Sequence, residues 1–156
     1  MTSRSGIMPK LDLESLPQTN ATGYPPVYAD VIQERWYRRL APASGITDFG
    51  ASHVVLKPGA WSGQRHWHVG EDEMVVMIAG EATLVDDLGR HPMKAGDVAA
   101  FPKNDGNGHV LINESDMDCV YVAIGRPSNS DCHYPDIDMH LFADKGGQRR
   151  KDGSEF

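Results

Sequence analysis

His66 and His68 are separated by one residue, and Glu73 follows five positions after His68. On a helix, positions i and i+2 do not share a face, so the two imidazoles could not converge. On a strand, alternate residues point the same way, roughly 6.6–6.8 Å apart by backbone rise. Across that gap two imidazoles can lean together onto one cation, with bonds of about 2.0–2.1 Å. The intervening Val69-Gly70-Glu71-Asp72 reads as a turn, and Glu73 opens the next strand. Adjacent antiparallel strands lie about 4.8 Å apart, so Glu73 can return to the same side of the sheet. His109, which opens a later strand, is the fourth candidate. Three neutral imidazoles and one carboxylate suit a single divalent ion of manganese, iron, nickel, cobalt or zinc rather than calcium. Such a site keeps about one positive charge and attracts an anionic or oxygen-rich ligand. Six-coordination leaves positions open for water or substrate, which Lewis-acid chemistry needs. Taken singly, a His-x-His pair, a strand-end glutamate and a histidine in a Gly-rich loop each have a plain surface explanation; the joint pattern is what points to a metal.

The elements that must position these side chains are short strands. The chain holds 16 glycines and 10 prolines at close intervals, which favours strands and turns over long helices. Expected strands are 52–57, 62–68, 73–79, 81–86, 90–94, 97–102, 109–113 and 118–125. Pro58-Gly59, Asp86 to Gly89, Ala95-Gly96 and Asp105-Gly106 supply turns between them. Strands at this spacing suggest an antiparallel sandwich or barrel. The run from Met74 to Ala79 is apolar without alternation, so its strand is expected to be covered on both faces. The stretch from Val27 to Leu40 reads equally as one helix or as a strand. The organisation expected is an N-terminal arm and first element over 1–44, a barrel over 45–126, and a C-terminal extension over 127–156 that wraps the barrel or meets a partner.

The same residues resemble the cupins. The segment HWHVGEDEMVVMIAG carries His66, His68, Glu73 and Gly80 in the spacing of that family's first motif, and GDVAAFPKNDGNGHVLIN carries Gly96, Pro102, His109 and Asn113 in the order of its second. Two departures fall in loops: six residues separate Gly59 from His66 where the pattern has five, and the loop from Pro102 to His109 is two residues longer than usual. The resemblance spans roughly 52–125. It implies an all-β double-stranded β-helix, the jelly-roll barrel, with His66, His68, Glu73 and His109 as metal ligands and Asn113 as a fold-supporting residue. It also implies a default homodimer, and the ends of the chain resemble stand-alone bacterial cupins, some of them sugar-phosphate isomerase-like.

Gln64 shares the parity of His66 and His68, so on an unbroken strand it faces the cavity, where it can bind substrate or only satisfy backbone. Arg126 and Lys103 can recognise a carboxylate or phosphate, though solvation is the commoner fate of either. Arg65 and Trp67 have the opposite parity and should point away, Trp67 for packing. Trp61 can line the mouth, though a core role is expected. Glu71 and Asp72 are expected to solvate their turn, with Asp72 a reserve ligand should the register slip. Met74 and Met77 fit core filling, and His53, His91, His133 and His140 have no motif partner. Cys119 reads as a buried thiol without a nucleophile's surroundings.

Composition sets the outer limits. The 156 residues fit one domain. No apolar run is long enough for a transmembrane helix, and the first residues lack the apolar stretch of a secretory signal. A cytoplasmic setting with both Cys119 and Cys132 reduced is therefore expected. A net charge of −7 disfavours a nucleic-acid surface. No G-x-S-x-G elbow, Walker-type loop or Rossmann fingerprint occurs, which disfavours covalent-nucleophile and nucleotide-driven enzymes. Two readings of function remain. One is a metal-dependent isomerase, dioxygenase or lyase acting on a small polar substrate; the other is a non-catalytic module that holds a metal or small ligand.

Overall fold

The computed structural model describes residues 9–156; the first eight residues of the expected arm lie outside the described residues. Twelve strands follow one another: β1 Arg35–Arg39, β2 Gly50–Leu56, β3 Trp67–His68, β4 Glu73–Ala79, β5 Glu81–Asp86, β6 Gly89–Lys94, β7 Val98–Phe101, β8 Val110–Ile112, β9 Cys119–Gly125, β10 Cys132–Tyr134, β11 Met139–Phe142 and β12 Gly147–Arg149. One wall is the five-stranded sheet β1-β2-β9-β4-β7. The other is built from β12-β11-β10-β3 and β6-β5-β8. Two isolated bridges, Trp61 with Ile112 and His66 with His109, stitch those two pieces together. The result is a jelly roll in which all named strand pairs are antiparallel. The core lies between the walls, with Val54, Leu56, Val75, Met77 and Tyr121 from one side facing Ala82, Leu84, Met93 and Leu111 from the other.

Three expectations change. First, β4 is buried on one face only: Val75 and Met77 point inward, while Met74 and Ile78 are 40% and 51% exposed. The apolar run reflects an outer face that is apolar as well, rather than a second covering layer. Second, the stretch 62–68 is not one strand. Residues 62–65 bend, and only Trp67 and His68 join a ladder. The backbone there finds its partners elsewhere: Ser62 N–H donates to Leu111 O at 2.8 Å. Gln64 N–H donates to the Tyr24 hydroxyl at 3.1 Å, and His66 and His109 exchange N–H···O bonds of 3.1 and 2.9 Å. Third, residues 27–40 are neither one helix nor one strand. A helical turn at Pro26–Ala29 and a 3-10 turn at Asp30–Ile32 precede β1. Pro26 suits the first helical position, since it has no N–H to leave unpaired.

The C-terminal segment completes the second wall. β10 pairs with β3, Cys132 opposite His68 and His133 opposite Trp67, and β11 and β12 extend the sheet outward. Arg65 fastens the arrangement. Its guanidinium grips Asp136 through two 2.8 Å bonds and also reaches Asp87. The described part of the arm lies along β1, with Thr19 bridged to Tyr37.

Candidate metal centre

The inner ends of β3, β4 and the segment before β8 converge on one carboxylate. His109 Nε2 lies 3.0 Å from Glu73 Oε2, His68 Nε2 lies 3.3 Å from Glu73 Oε1, and His66 Nε2 lies 3.8 Å from Glu73 Oε2. Donor atoms of His66, Glu73 and His109 all fall within 4.8 Å of one another. Neighbouring ligands of an octahedral cation with bonds of about 2.1 Å stand roughly 3.0 Å apart. The spacing around Glu73 is close to that, and an N3O donor set suits a divalent transition metal. The residues therefore fit the cation that the sequence implies. His68 joins through Glu73 and also belongs to a second group, His66–His68–Cys132, whose donor atoms likewise lie within 4.8 Å.

Local structure presets the rings. His66 Nδ1 lies 2.7 Å from Gln64 O; a proton on Nδ1 donated to that carbonyl leaves the Nε2 lone pair free for a cation. His109 is held differently: its ring stacks on Phe101 at 3.6 Å and 5° between planes, and its Nδ1 is buried without a hydrogen-bond partner. Burial, reinforced by the neighbouring His109, lowers the His66 pKa to about 4, so its ring is neutral at pH 7. Burial would lower His68 too, but hydrogen bonding to Cys132 and Glu73 outweighs it and pushes that ring up to about 10. For Glu73, burial is likewise outweighed, and hydrogen bonds from His109 and His68 hold the carboxyl far below the usual carboxylate range. In the absence of a cation, Glu73 thus stands as an anion among imidazoles.

The centre opens into a cavity of about 570 Å³ between the walls, lined by His66, Glu73 and His109 together with Glu71, Arg35 and three tyrosines, Tyr24, Tyr37 and Tyr121. Glu71 departs from its expected role at the turn. It lines the cavity, with Oε2 3.9 Å from His68 Nδ1, and burial raises its pKa. Asp72 is exposed and accepts from Lys103 N–H at 2.8 Å.

Gln64 and Arg126 are not among the cavity-lining residues. The bend at 62–65 breaks the parity argument for Gln64: its amide turns the other way and donates to Tyr28 O at 2.9 Å. Its contribution to the site is the carbonyl that faces His66. The Arg126 side chain lies on the exposed surface. Trp67 stacks on His133 at 4.1 Å, while His91 and His140 pair with Asp86 and Asp131. Asn113 is fully buried. Its amide donates to Leu56 O and Met117 O, and its Oδ1 accepts from Ser115 N–H and Oγ. Arg35, Cys132 and Glu71 are the residues near the site that sequence reasoning did not place there. Local spacing does not mark Arg35 and Cys132, because β1 and β10 reach the site only through long-range pairing, and Glu71 sits in a turn whose composition suggests solvent.

The Cupin_2 family, described as a cupin domain, matches residues 52–125. A solved sugar phosphate isomerase from a cupin superfamily, from Silicibacter pomeroyi, is 39% identical, aligning over 95% of this chain and 96% of its own with a TM-score of 0.88. This chain belongs to the cupin superfamily. A putative sugar phosphate isomerase from Acidithiobacillus ferrooxidans is similar at 26% identity over 74% of each chain, with a TM-score of 0.68. A Cupin 2 conserved barrel domain protein from Salinispora arenicola is similar at 28% identity over 78% of this cupin and 88% of its own chain, with a TM-score of 0.56. None of the curated proteins matches this cupin. Among its described residues, no helix is long and apolar enough to cross a membrane.

Proposed function

We propose that this cupin is a divalent-metal-dependent enzyme of the isomerase type, acting on a small, polar, oxygen-rich substrate such as a phosphorylated sugar. The observation that carries the proposal is the Glu73 carboxylate held among three imidazole Nε2 atoms at the wall of a substrate-sized cavity. The 39% identical relative, itself described as a sugar phosphate isomerase, supports the choice of reaction. His66, His68, Glu73 and His109 would hold the cation, which when bound supplies Lewis acidity toward substrate oxygens.

The chain's own groups do the rest. Gln64 O fixes the tautomer of His66, and Phe101 fixes the plane of His109. Val54 and Val75 from one wall and Leu111 from the other make part of the lining apolar, which favours exclusion of water. Aldose–ketose interconversion requires a base that takes a proton from one carbon and returns it to its neighbour. Glu71 is a carboxylate in the cavity outside the expected ligand set, and burial strengthens its hold on a proton. It is assigned that transfer, at Oε2. Pairing of two copies through the outer face of the five-stranded wall is part of the same proposal.

The test begins with elemental analysis of natively expressed protein. That metal is then restored, and aldose and ketose phosphates are screened in anaerobic buffer. Interconversion is expected, lost in Glu71→Gln at unchanged metal content. Tight ligand binding without turnover would instead identify a binding module. Oxygen uptake confined to the iron-loaded form would identify a dioxygenase.

A further inference from the structure

β1 carries Arg35, Tyr37 and Arg39 at alternate positions, and all three line the cavity. Alternate strand residues share a face, and Arg35 stands opposite Leu56, a fully buried core residue. A guanidinium is thus set on the interior face of this edge strand. Its Nη1 donates to Ser62 O at 2.7 Å, and its Cζ lies 5.5 Å from the centre of the Tyr37 ring. Its Nε is buried and has no hydrogen-bond partner. Among the described residues Arg35 has no carboxylate within ion-pair distance, whereas Arg38, Arg65, Arg90 and Arg149 each have at least one. The carboxylates that line the same cavity are Glu71 and Glu73, and Glu73 is taken up by three histidines.

A half-buried guanidinium whose Nε is shut off from water and which has no anion is an incomplete pair, because that donor has given up water without gaining an acceptor. Its planar fork matches a carboxylate or a phosphate. A fixed positive charge here is also notable against a chain whose net charge is −7. From these features we infer that Arg35 is the subsite for the oxyanion of the substrate, a carboxylate or phosphate group, which it binds while the oxygen-bearing end of the molecule faces His66, Glu73 and His109. This rests on the proposed function for the second half of that statement, but not for the anion subsite itself. Ser62 O holds the guanidinium in place, and Tyr24, Tyr37 and Tyr121 line the same cavity. Exposed Arg126, the cation that sequence reasoning would choose, has no part in it.

The experiment uses the full chain stripped of metal by chelation, so that an added anion cannot be captured by a bound metal ion. Inorganic phosphate and acetate are titrated separately and followed by calorimetry, with circular dichroism as a check on folding. The wild type is expected to bind one of the two at a single site, and which one binds names the oxyanion. Arg35→Gln is expected to weaken that binding about tenfold or more. Arg35→Lys keeps the charge but not the fork. It should fold and bind with an intermediate loss, which keeps the test decisive should Arg35→Gln misfold. Arg126→Gln should bind as the wild type does. Absence of binding by the wild type, or equal binding by folded Arg35→Gln or Arg35→Lys, overturns the assignment. Elemental analysis of the same variants before chelation separates the two proposals. Arg35-dependent anion binding in a protein that never loads metal would remove the metal reading and leave the anion subsite. Stoichiometric metal with anion binding indifferent to Arg35 would do the reverse.

Discussion

Each histidine at the centre faces Glu73 through Nε2 and is held in a different way: His66 by a carbonyl, His109 by an aromatic stack, His68 by its strand pairing with Cys132. Removing any one ring leaves the others in place, because the walls and not the ligands carry the core. His66→Ala, His68→Ala and His109→Ala are each expected to lose bound metal while circular dichroism shows an intact barrel. Full stoichiometric metal in all three variants would refute the ligand assignment. The protonation states add a second prediction. With its pKa raised to about 10, metal-free His68 is charged at pH 7, whereas His66 at about 4 is already neutral. A cation must therefore displace about one proton from His68 on binding at pH 7. Calorimetric metal titrations in two buffers of different ionisation enthalpy read that release directly, and affinity should climb as pH rises toward 10. For the metal-free protein the sign is opposite. The stability that His68 contributes is complete below its ordinary pKa of 6.5 and is lost as pH rises through about 10. A thermal midpoint indifferent to His68→Ala across that window would contradict the account.

The elements hold the site by a few tight joints. The turn from β4 to β5 passes through Gly80 at φ 71°, where an added Cβ would meet Asp118 O at 2.2 Å. Gly80→Ala therefore combines a left-handed backbone with a clash against main chain, and is expected to cost about 2 kcal/mol or more. Chemical denaturation measures this; a variant as stable as the wild type would mean that the β4–β5 joint is looser than its geometry implies. Much at this scale was legible in advance. Seven of the eight strands expected over 52–125 form close to their expected limits, since their hydrophobic patterning and turn residues are local signals. The stretch 62–68 was not legible. Its backbone partners are Leu111, His109 and the Tyr24 hydroxyl, none of which alternation in the segment itself can reveal. With that strand broken, the parity argument that sent Gln64 into the cavity had nothing to stand on.

At the scale of the whole molecule, the outer face of the five-stranded wall is largely apolar, with Arg38 and His53 as its polar residues toward the β1 edge. Val55, Val120, Val122, Val76 and Val98 are brought onto one side by the β2–β9, β9–β4 and β4–β7 registers, and Val98 and Ile78 are 55% and 51% exposed. A contiguous apolar face of this kind favours association. Light scattering coupled to size exclusion is expected to find a dimer that Val98→Glu converts to monomer, since a buried unpaired charge opposes the interface. A monomeric wild type would end that expectation.

The sequence by itself determined the metal-ligand candidates and the barrel around them, because His-x-His, the following glutamate and the strand alternation are short-range patterns set by a period of two and by turn chemistry. Tertiary structure alone decided what surrounds them. Arg35 enters from an edge strand 31 residues before His66, and Cys132 enters from a strand 64 residues after His68; Glu71 turns inward at a corner whose composition suggested solvent. Those placements depend on which strands pair across the molecule. Pairing of that kind is fixed by burial summed over both walls, and no spacing within a single segment records it.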